Sequence, residues 1–441
     1  MKFVLLPCEI YHREFDAKLL LACHLFSKYG ISSLIGYDKY FADIARSLPG
    51  AILLEKSCSN IMHKSRINPV KSLGGYVIVN DEGGFNNLES YQKNLWYSRV
   101  DRHAASSIDI YGCWGTSDYE YFSDIKELYG KMQIVGNCRS LLLGAIGRHL
   151  YADKISSLKE IYGDFVLCPD NFCVEHRRGN YQMPNYNAPS NVIKEALAEW
   201  DTTWLYAAKK REIYCEYLTI LAQKNPSLSF VLRPHPVSNP SWWLKRFWQF
   251  RNIHIVGIMN VEPWIHASKA MLSMGCTTAI QSMIAGKPVI EVTPKDVEQK
   301  LIGGLGHKLS RFNARTPLES LQFLNSLICS DFDLQNALPS HASLDRLWHK
   351  SSSQTVTHPV AESICQLASL PKVRVSRLGF QNYLAKFRAE QAERRMQINL
   401  EKWPNSLFDE ELKKVDSISR YLGNSRIPLM KVENGLYCVG G

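Results

Sequence analysis

The chain has 441 residues, more than one ordinary hydrophobic core accommodates, so we expect two domains of typical size. Apolar residues make up 45% and charged residues 21%, a balance that excludes a largely disordered chain. The formal net charge of +10 favours anionic partners. We expect no nucleic acid among them, because the sequence has no zinc-finger, RRM-like or basic-zipper pattern.

Cysteine usage and hydropathy bear on the compartment of the protein. Twelve cysteines lie singly along the sequence, without the dense spacing of a secreted disulfide scaffold. The N-terminal apolar run is interrupted by Pro7 and Glu9, and no stretch approaches the roughly 20 apolar residues of a membrane span. We therefore expect a cytoplasmic protein, either soluble or peripheral at the inner face of the cytoplasmic membrane.

Over the first two thirds of the chain, short apolar runs alternate with longer amphipathic stretches, which is the pattern of parallel sheets covered by helices. In the first third, strands are predicted at 3–7, 32–37, 51–56, 75–80, 108–115 and 132–137. A helix between the first two strands is predicted to end at Gly30, as a C-cap. This series predicts a Rossmann-like domain over residues 1–150.

A second series predicts strands at 164–172, 228–236, 252–257, 269–275 and 288–293, with a long helix from about 191 to 223. It predicts a second Rossmann-like domain over residues 151–357. The expected fold class is therefore α/β, with two Rossmann-type halves facing each other across a cleft.

Residues 358–441 read as a helical C-terminal extension, because strand signals almost vanish there. A basic stretch within it carries Lys386, Arg388, Arg394 and Arg395. Its cations either form a solvated helix face or contact an anionic membrane leaflet.

The run SFVLRPHP combines a strand with Arg233, Pro234, His235 and Pro236. The two prolines stiffen the backbone on both sides of the imidazole, and the carboxyl ends of strands in open α/β sheets border the ligand crevice. An imidazolium there can hydrogen-bond a phosphate or give a proton to a leaving nucleotide. A histidine that merely caps the strand end is the alternative.

A second candidate site lies in residues 269–293. A strand runs into Ser273 and Gly275, and Thr277 and Thr278 then open a helix. Free backbone amides at a helix start, together with the helix dipole, favour an anion such as phosphate. An ordinary threonine N-cap on a packing helix is the alternative.

The stretch VIVNDEGG ends a predicted strand of the first domain with two acids, Asp81 and Glu82, before two glycines. Across a two-domain cleft these carboxylates would face His235, and one of them would take a proton from a sugar hydroxyl. The alternative is a glycine-rich turn with two solvated acids.

In this order and spacing, the DEG of residues 81–83, the HP of 235–236 and the hydroxyl pair 277–278 resemble the motifs of bacterial sialyltransferases and polysialyltransferases. The wider layout, with VGNCR (135–139), PDNF (169–172) and TTAIQSMIAGKPVI (277–290), is similar to bacterial surface-carbohydrate biosynthesis proteins of capsule and lipopolysaccharide loci. The similarity covers roughly residues 1–350.

The resemblance implies a GT-B fold with an acceptor-side first domain and a second domain that binds a nucleotide sugar. The implied donor is a CMP-activated acidic sugar, a sialic-acid-like nonulosonate or Kdo, and the implied acceptor is a glycan or lipid-linked glycan of the bacterial surface. We expect the transfer reaction to require no metal, and no cofactor beyond the CMP-sugar as co-substrate.

The resemblance also implies roles for individual residues. Asp81 would be the general base, with Glu82 as substitute, and His235 would assist departure of the CMP phosphate. Thr277 and Thr278 would hold phosphate or the sugar carboxylate. Donor-binding residues in this interpretation are Arg233, Pro236, Ser273, Gly275, Thr277, Thr278 and Gln281. Related sequences usually carry an acid at position 281, so the glutamine departs from the expected ribose contact.

Two other functions fit the same features. A CDP-glycerol or CDP-ribitol phosphotransferase would share the two-domain frame and the helix-bound phosphate. A non-catalytic scaffold that binds glycan or membrane would fit the glutamine at position 281 and the basic C-terminal region.

Overall fold

The computed structural model describes residues 3–81, 100–172, 190–235, 238, 240–257, 259–295, 297, 305–328, 337–349, 359–370, 376–394, 403, 408–424 and 426–440. The chain forms two compact units. The first comprises Met1–Gly84, Tyr91–Leu150 and Ala342–Gly441, and the second comprises Phe85–Ser90 and Tyr151–His341. Of the described helices, none is both long enough and apolar enough to cross a membrane.

The strands within the described residues are β1 Phe3–Cys8, β2 Ser32–Tyr37, β3 Ile52–Glu55, β4 Tyr76–Val79, β5 Ile110–Cys113, β6 Met132–Ile134, β7 Phe165–Pro169, β8 Ser229–Arg233, β9 Ile253–Ile255, β10 Ala270–Ser273, β11 Val289–Val292, β12 Phe312–Ala314, β13 Leu429–Glu433 and β14 Leu436–Val439. Each of the eleven strands predicted from the sequence is present.

The α-helices within the same residues are α1 Asp16–Tyr29, α2 Phe41–Ser47, α3 Asn60–Met62, α4 Asn68–Ser72, α5 Arg102–Ser107, α6 Thr116–Phe122, α7 Ala145–Leu150, α8 Ala152–Tyr162, α9 Ser190–Lys224, α10 Pro240–Phe247, α11 Val261–Ala267, α12 Thr277–Ile284, α13 Gly306–Leu309, α14 Pro317–Ile328, α15 His341–Leu347, α16 Pro359–Ser369, α17 Arg377–Arg394 and α18 Phe408–Tyr421. Short turns of 3₁₀ or π geometry occupy Tyr11–Phe15, Asp38–Tyr40, His63–Ile67, Lys126–Leu128 and Cys138–Leu143.

The described strands of the first unit form one sheet in the order β13-β14-β2-β1-β3-β4-β5-β6, in which β1 to β6 are parallel. β1 and β2 are buried along their whole length, as expected for strands covered by helices on both faces. α1 ends at Tyr29, and Gly30 caps it with a φ of 63°. The Gly30 amide donates to the Phe26 carbonyl at 2.9 Å, and the turn at Gly30 lets the Ile31 amide donate to the Leu25 carbonyl at 3.2 Å. The predicted C-cap is confirmed.

The C-terminal region departs from the sequence prediction of a helical extension. After α16, α17 and α18 the chain ends in two strands, and β14 pairs antiparallel with β2 while β13 pairs antiparallel with β14. The predicted boundary at residue 357 placed the residues from Ala342 onward, most of α15 included, in the second domain. They contact the first unit instead: the His349 amide donates to the Trp114 carbonyl at 2.6 Å, and the rings of Trp348 and Trp114 lie 4.6 Å apart.

A buried charge pair attaches α18 to the N-terminal helix α1. The Lys414 ammonium lies 2.8 Å from Asp16 Oδ1 and 3.1 Å from the Tyr11 hydroxyl, and all three residues are buried. Burial alone would lower the pKa of Lys414, but the Asp16 carboxylate raises it. The pair therefore stays charged, and each partner depends on the other.

The described strands of the second unit form a parallel sheet in the order β12-β11-β10-β7-β8-β9. If β7 is counted as strand 1 and the sheet is followed from β9 to β12, the order is 3-2-1-4-5-6, which is that of a doubly wound Rossmann sheet. One face packs against α9, α10 and α14 through a core that includes Tyr214, Leu218, Trp243 and Leu324. The predicted long helix is α9, at Ser190–Lys224.

We expect Lys414→Met to lower the free energy of unfolding by about 3 to 5 kcal/mol, because it leaves the Asp16 carboxylate buried without its cation. Equilibrium urea denaturation measures the change. Lys413→Met is the matched control, since the neighbouring Lys413 is exposed. A loss below about 1 kcal/mol in the Lys414 variant would show that the pair does not hold α18 in place.

Candidate functional site

The second unit has a topological switch point between β7 and β10. From β7 the chain crosses to β8 and β9 on one side, and then returns to β10, β11 and β12 on the other. Crossover connections leave in opposite directions at this point, which opens a crevice at the carboxyl ends of the two strands. Asp170 follows β7, and the loop that starts at Met274 follows β10.

Asp170 fixes the segment that carries His235. Its carboxylate accepts hydrogen bonds from the Phe172 amide at 2.9 Å, from the Trp243 indole at 3.1 Å and from the His235 amide at 3.4 Å. The Asp170 amide in turn donates to the Arg233 carbonyl at 2.9 Å. The backbone around His235 is therefore held at the end of β8, beside the crevice, while its side chain is half-buried.

Arg233 is the last residue of β8. One guanidinium nitrogen donates to the Met259 carbonyl at 2.5 Å, whereas Nε is buried without a hydrogen-bond partner. Burial lowers the pKa of Arg233, and the nearby carboxylate of Glu262 opposes that shift. A partly desolvated guanidinium at a strand end is suited to an anionic ligand.

The loop between β10 and α12 presents the start of a helix to the crevice. Gly275 has a φ of 74°, and α12 begins at Thr277, as the sequence indicates. The loop is tied to β7 by Asn171, whose amide donates to the Gly275 carbonyl at 2.9 Å. The Ser273 hydroxyl is buried and accepts from the Cys276 amide at 3.3 Å, whereas Thr277 and Thr278 are half-exposed.

Glu291 supports this loop from below. It lies on β11, is fully buried, and its Oε2 accepts the Gly275 amide at 3.0 Å. Its Oε1 has no hydrogen-bond partner. Burial raises the pKa of Glu291 to about 7, although the Gly275 amide and the Ser273 hydroxyl favour the ionised form. The carboxyl group that accepts the Gly275 amide of this loop therefore changes charge near neutral pH.

Gln281 lies on α12 and is 2% exposed. Its Nε2 is buried without a hydrogen-bond partner. An acid at this position would present acceptors alone, whereas the glutamine amide also presents a donor.

In the first unit, Asn80 and Asn137 build the strand ends around Asp81. The buried Asn80 amide donates to the carbonyls of Gly112 at 3.0 Å and Gly136 at 2.9 Å, which joins the ends of β4, β5 and β6. The Asp81 carbonyl accepts from the Asn137 amide at 3.1 Å. The backbone at Asp81 is thereby held, and its side chain is half-buried.

The Trp114 indole, which follows β5, also donates to the Asp81 carbonyl, at 2.5 Å. The ring of Trp114 contacts that of Trp348 from the C-terminal region at an interplanar angle of 41°, so residues far apart in sequence determine where Asp81 lies. Glu82 and Pro236 lie outside the described residues. Asp81 belongs to the first unit and His235 to the second, and their predicted approach across a cleft stays a prediction.

The structure places six of the predicted residues at the carboxyl edge of one sheet, on the two strands that flank β7: Arg233 and His235 at the end of β8, and Ser273, Gly275, Thr277 and Thr278 at the end of β10 and after it. Sequence reasoning missed three residues that position them, namely Asp170, Asn171 and Glu291. A signal for Glu291 was present, because it is the one acid in the otherwise apolar run PVIEV. Among the described residues, no group of three or more His, Cys, Asp or Glu side chains is placed to hold a metal ion.

Comparison with known proteins identifies no matching family model and no matching curated sequence. Solved structures do match. UDP-GlcNAc 2-epimerase from Neisseria meningitidis, bound to UDP-GlcNAc, aligns with a TM-score of 0.50 at 10% identity, over 84% of this chain and 100% of that chain. S. aureus MnaA in a co-structure with UDP gives a TM-score of 0.49 at 11% identity, over 82% of this chain and 94% of that one.

The UDP-GlcNAc 2-epimerase from Methanocaldococcus jannaschii gives a TM-score of 0.47 at 12% identity, over 78% of this chain and 97% of that one. At such identities the likeness bears on fold alone. The likeness to the Neisseria enzyme, together with the two parallel sheets, shows a GT-B-like α/β fold with two Rossmann-type units. The predicted fold class is confirmed.

We expect Glu291→Gln to change the pH dependence of stability. Between its ordinary pKa of 4.5 in the unfolded chain and about 7 in the fold, Glu291 binds more protons in the fold, so wild-type stability falls as pH rises through this window. Glutamine does not titrate, so the variant lacks this pH-dependent contribution to stability. The free energy of unfolding of the variant relative to wild type should rise by roughly 2 to 3 kcal/mol from pH 5 to pH 8.

Urea denaturation of both proteins at the two pH values checks this expectation. Glu212→Gln serves as control, because the Glu212 side chain is 55% exposed. A difference between wild type and the Glu291 variant that does not depend on pH contradicts the assignment of a raised pKa to Glu291.

Proposed function

We propose that the protein is a glycosyltransferase that binds the nucleotide of an activated sugar at the switch point of its second unit. The observation that carries this proposal is that two elements suited to an anion follow β8 and β10, the two strands that flank β7. One is the first turn of α12, entered through Gly275, and the other is the pair Arg233 and His235 at the end of β8. Phosphate is the ligand that suits both.

Each part of this site supplies a different interaction. The amides of Thr277 and Thr278 begin α12 and can donate to phosphate oxygens, aided by the helix dipole, whereas the Ala279 amide already donates to the Cys276 carbonyl at 3.0 Å. The hydroxyls of Thr277 and Thr278 are half-exposed beside them and can bind the same phosphate or a sugar carboxylate. Arg233 adds a positive charge, and His235 can donate a proton to the departing nucleotide. The reaction as proposed uses no metal and no further cofactor.

We infer that the donor is a CMP-activated acidic sugar of the nonulosonate or Kdo class, transferred to a bacterial surface glycan. The order of the DEG, HP and threonine-pair motifs supports this choice. Asp81 is the proposed general base toward the acceptor hydroxyl, with Glu82 as substitute. The buried amide of Gln281 is the proposed contact to the donor ribose, since a ribose hydroxyl both accepts and donates.

A second candidate is an enzyme that uses a UDP-sugar. It is favoured by the fold likeness to a UDP-GlcNAc 2-epimerase over the full length of that enzyme. In such an enzyme the same amides and cations would bind the diphosphate of UDP. If the reaction is an epimerisation, no acceptor hydroxyl is present for Asp81 to activate.

A panel of CMP, CDP, UDP and their sugar conjugates tests the donor class. We expect CMP and a CMP-nonulosonate to raise the melting temperature and the uridine nucleotides to leave it unchanged. We also expect transfer of radiolabelled sugar to a glycan acceptor. The rate of this transfer should be the same with and without EDTA. Stabilisation by UDP alone favours the second candidate, and transfer of phosphorus from CDP-glycerol favours a phosphotransferase.

We expect His235→Ala to lower the turnover number with the CMP-sugar by a factor on the order of a hundred or more, because departure of the nucleotide loses its proton donor. The control is His341→Ala, which changes an exposed histidine. Steady-state kinetics separates turnover from donor affinity. Wild-type turnover in the His235 variant would remove this imidazole from the mechanism.

A further inference from the structure

Helix α10 and the turn after it have an anchored face and an exposed face. Trp243 and Phe247 are buried, and their rings stack with an interplanar angle of 8°. The Trp243 indole also donates to the Asp170 carboxylate at 3.1 Å. On the other face, the Leu244 side chain is 53% exposed and Trp248 is 75% exposed. The buried face holds the helix rigidly, so the exposed pair is presented in a fixed position.

This exposed pair differs from a single surface leucine, which is ordinary in a soluble protein. Leu244 lies in the last turn of α10 and Trp248 is the first residue after it, four residues further on, a spacing that favours contact between side chains where the chain continues to coil. Tryptophan combines a large apolar ring with one N–H donor, a combination that suits the boundary between water and an apolar phase.

The apolar pair is bordered by cations. Lys245, Arg246 and Arg251 are all exposed. Arg246 lies 3.8 Å from the carboxylate of Glu212, which offsets part of its charge, but this short segment still has an excess of positive charge. The whole chain is also basic, with a formal net charge of +10. A partner for this surface must therefore be anionic and must offer an apolar layer within reach of an indole ring.

We propose that Leu244 and Trp248, with Lys245 and Arg251 beside them, bind the surface of an anionic phospholipid bilayer. The two apolar side chains enter the boundary between headgroups and acyl chains, and the cations attract the lipid phosphates. This function is independent of donor binding, because it involves a different surface of the second unit. It brings the protein to a membrane where lipid-linked substrates are found.

The basic helix α17, the other candidate for membrane contact, lacks this combination. Its apolar residues Phe380, Leu384 and Phe387 are buried. The guanidinium of Arg388 is engaged by the edge strand β13, donating to the Val432 carbonyl at 2.7 Å and to the Lys431 carbonyl at 2.9 Å. Among the side chains of α17 that the structure describes, none is a large apolar residue exposed beside this charge as Trp248 is beside α10.

Cosedimentation of the full chain with vesicles tests the proposal. We expect binding to vesicles of phosphatidylglycerol and phosphatidylcholine, weaker binding as salt increases, and little binding to phosphatidylcholine alone. The double variant Leu244→Ser, Trp248→Ser should bind at least about tenfold more weakly, because it removes the apolar contact. Lys245→Glu with Arg251→Glu should also lose about tenfold or more.

Ile161→Ser is the matched control, since Ile161 is a 69% exposed apolar residue of the same unit, and it should bind as wild type does. Stabilisation of each variant by nucleotide shows that its second unit is folded. A loss of vesicle binding in such a variant is then not caused by unfolding or by damage to the donor site. The proposal is overturned if wild type binds neither kind of vesicle, or if the double variant keeps its binding. It is also overturned if Lys386→Glu on α17 alone abolishes binding, or if Trp248→Ser only converts an oligomer to a monomer.

Discussion

The parallel pairing of β7 with both β8 and β10 is the constraint on which the second unit depends. β7 is the first strand of this sheet in chain order and lies at its centre, so the connection from β7 to β8 and the connection from β10 to β11 leave in opposite directions. That divergence leaves strand ends uncovered where Arg233, His235 and the start of α12 lie. The anion site is therefore a consequence of topology, and the side chains adapt it to a ligand.

In both units, buried polar side chains convert strand ends into a rigid frame. Asn80 bonds the ends of β5 and β6 in the first unit, and Asp170 bonds the β8 segment in the second. These contacts fix backbone atoms and leave the adjacent side chains, Asp81 and His235, half-buried. The residues that make such contacts need not touch a substrate, yet they determine where the reactive groups sit.

Local patterns predicted most of the fold. An apolar run of strand length indicates a strand, and a threonine before an apolar stretch indicates a helix start, and each pattern lies within one short segment. The end of the chain was not predictable in this way. β14 is the four-residue run LYCV, which becomes a strand because it pairs with β2, about 400 residues earlier. Of the site, sequence indicated the residues at strand ends but missed Glu291, because an acid becomes a buried loop support only through contacts with β10. Asp170 was missed for the same reason, as its partners come from two other segments.

In the second sheet, three polar residues from adjacent strands lie opposite one another toward the carboxyl edge. There Ser273 pairs with Glu291, and Glu291 pairs with Asn313, so three polar side chains share one face of the sheet. Glu291 Oε1, Arg233 Nε and Gln281 Nε2 are buried without hydrogen-bond partners, an arrangement that costs about 1 to 3 kcal/mol for each group. A fold selected for stability alone would replace such groups with apolar ones. Buried polar atoms without partners also occur in other parts of the described chain, but these three lie on elements around the switch point, where a bound ligand can supply the missing partners.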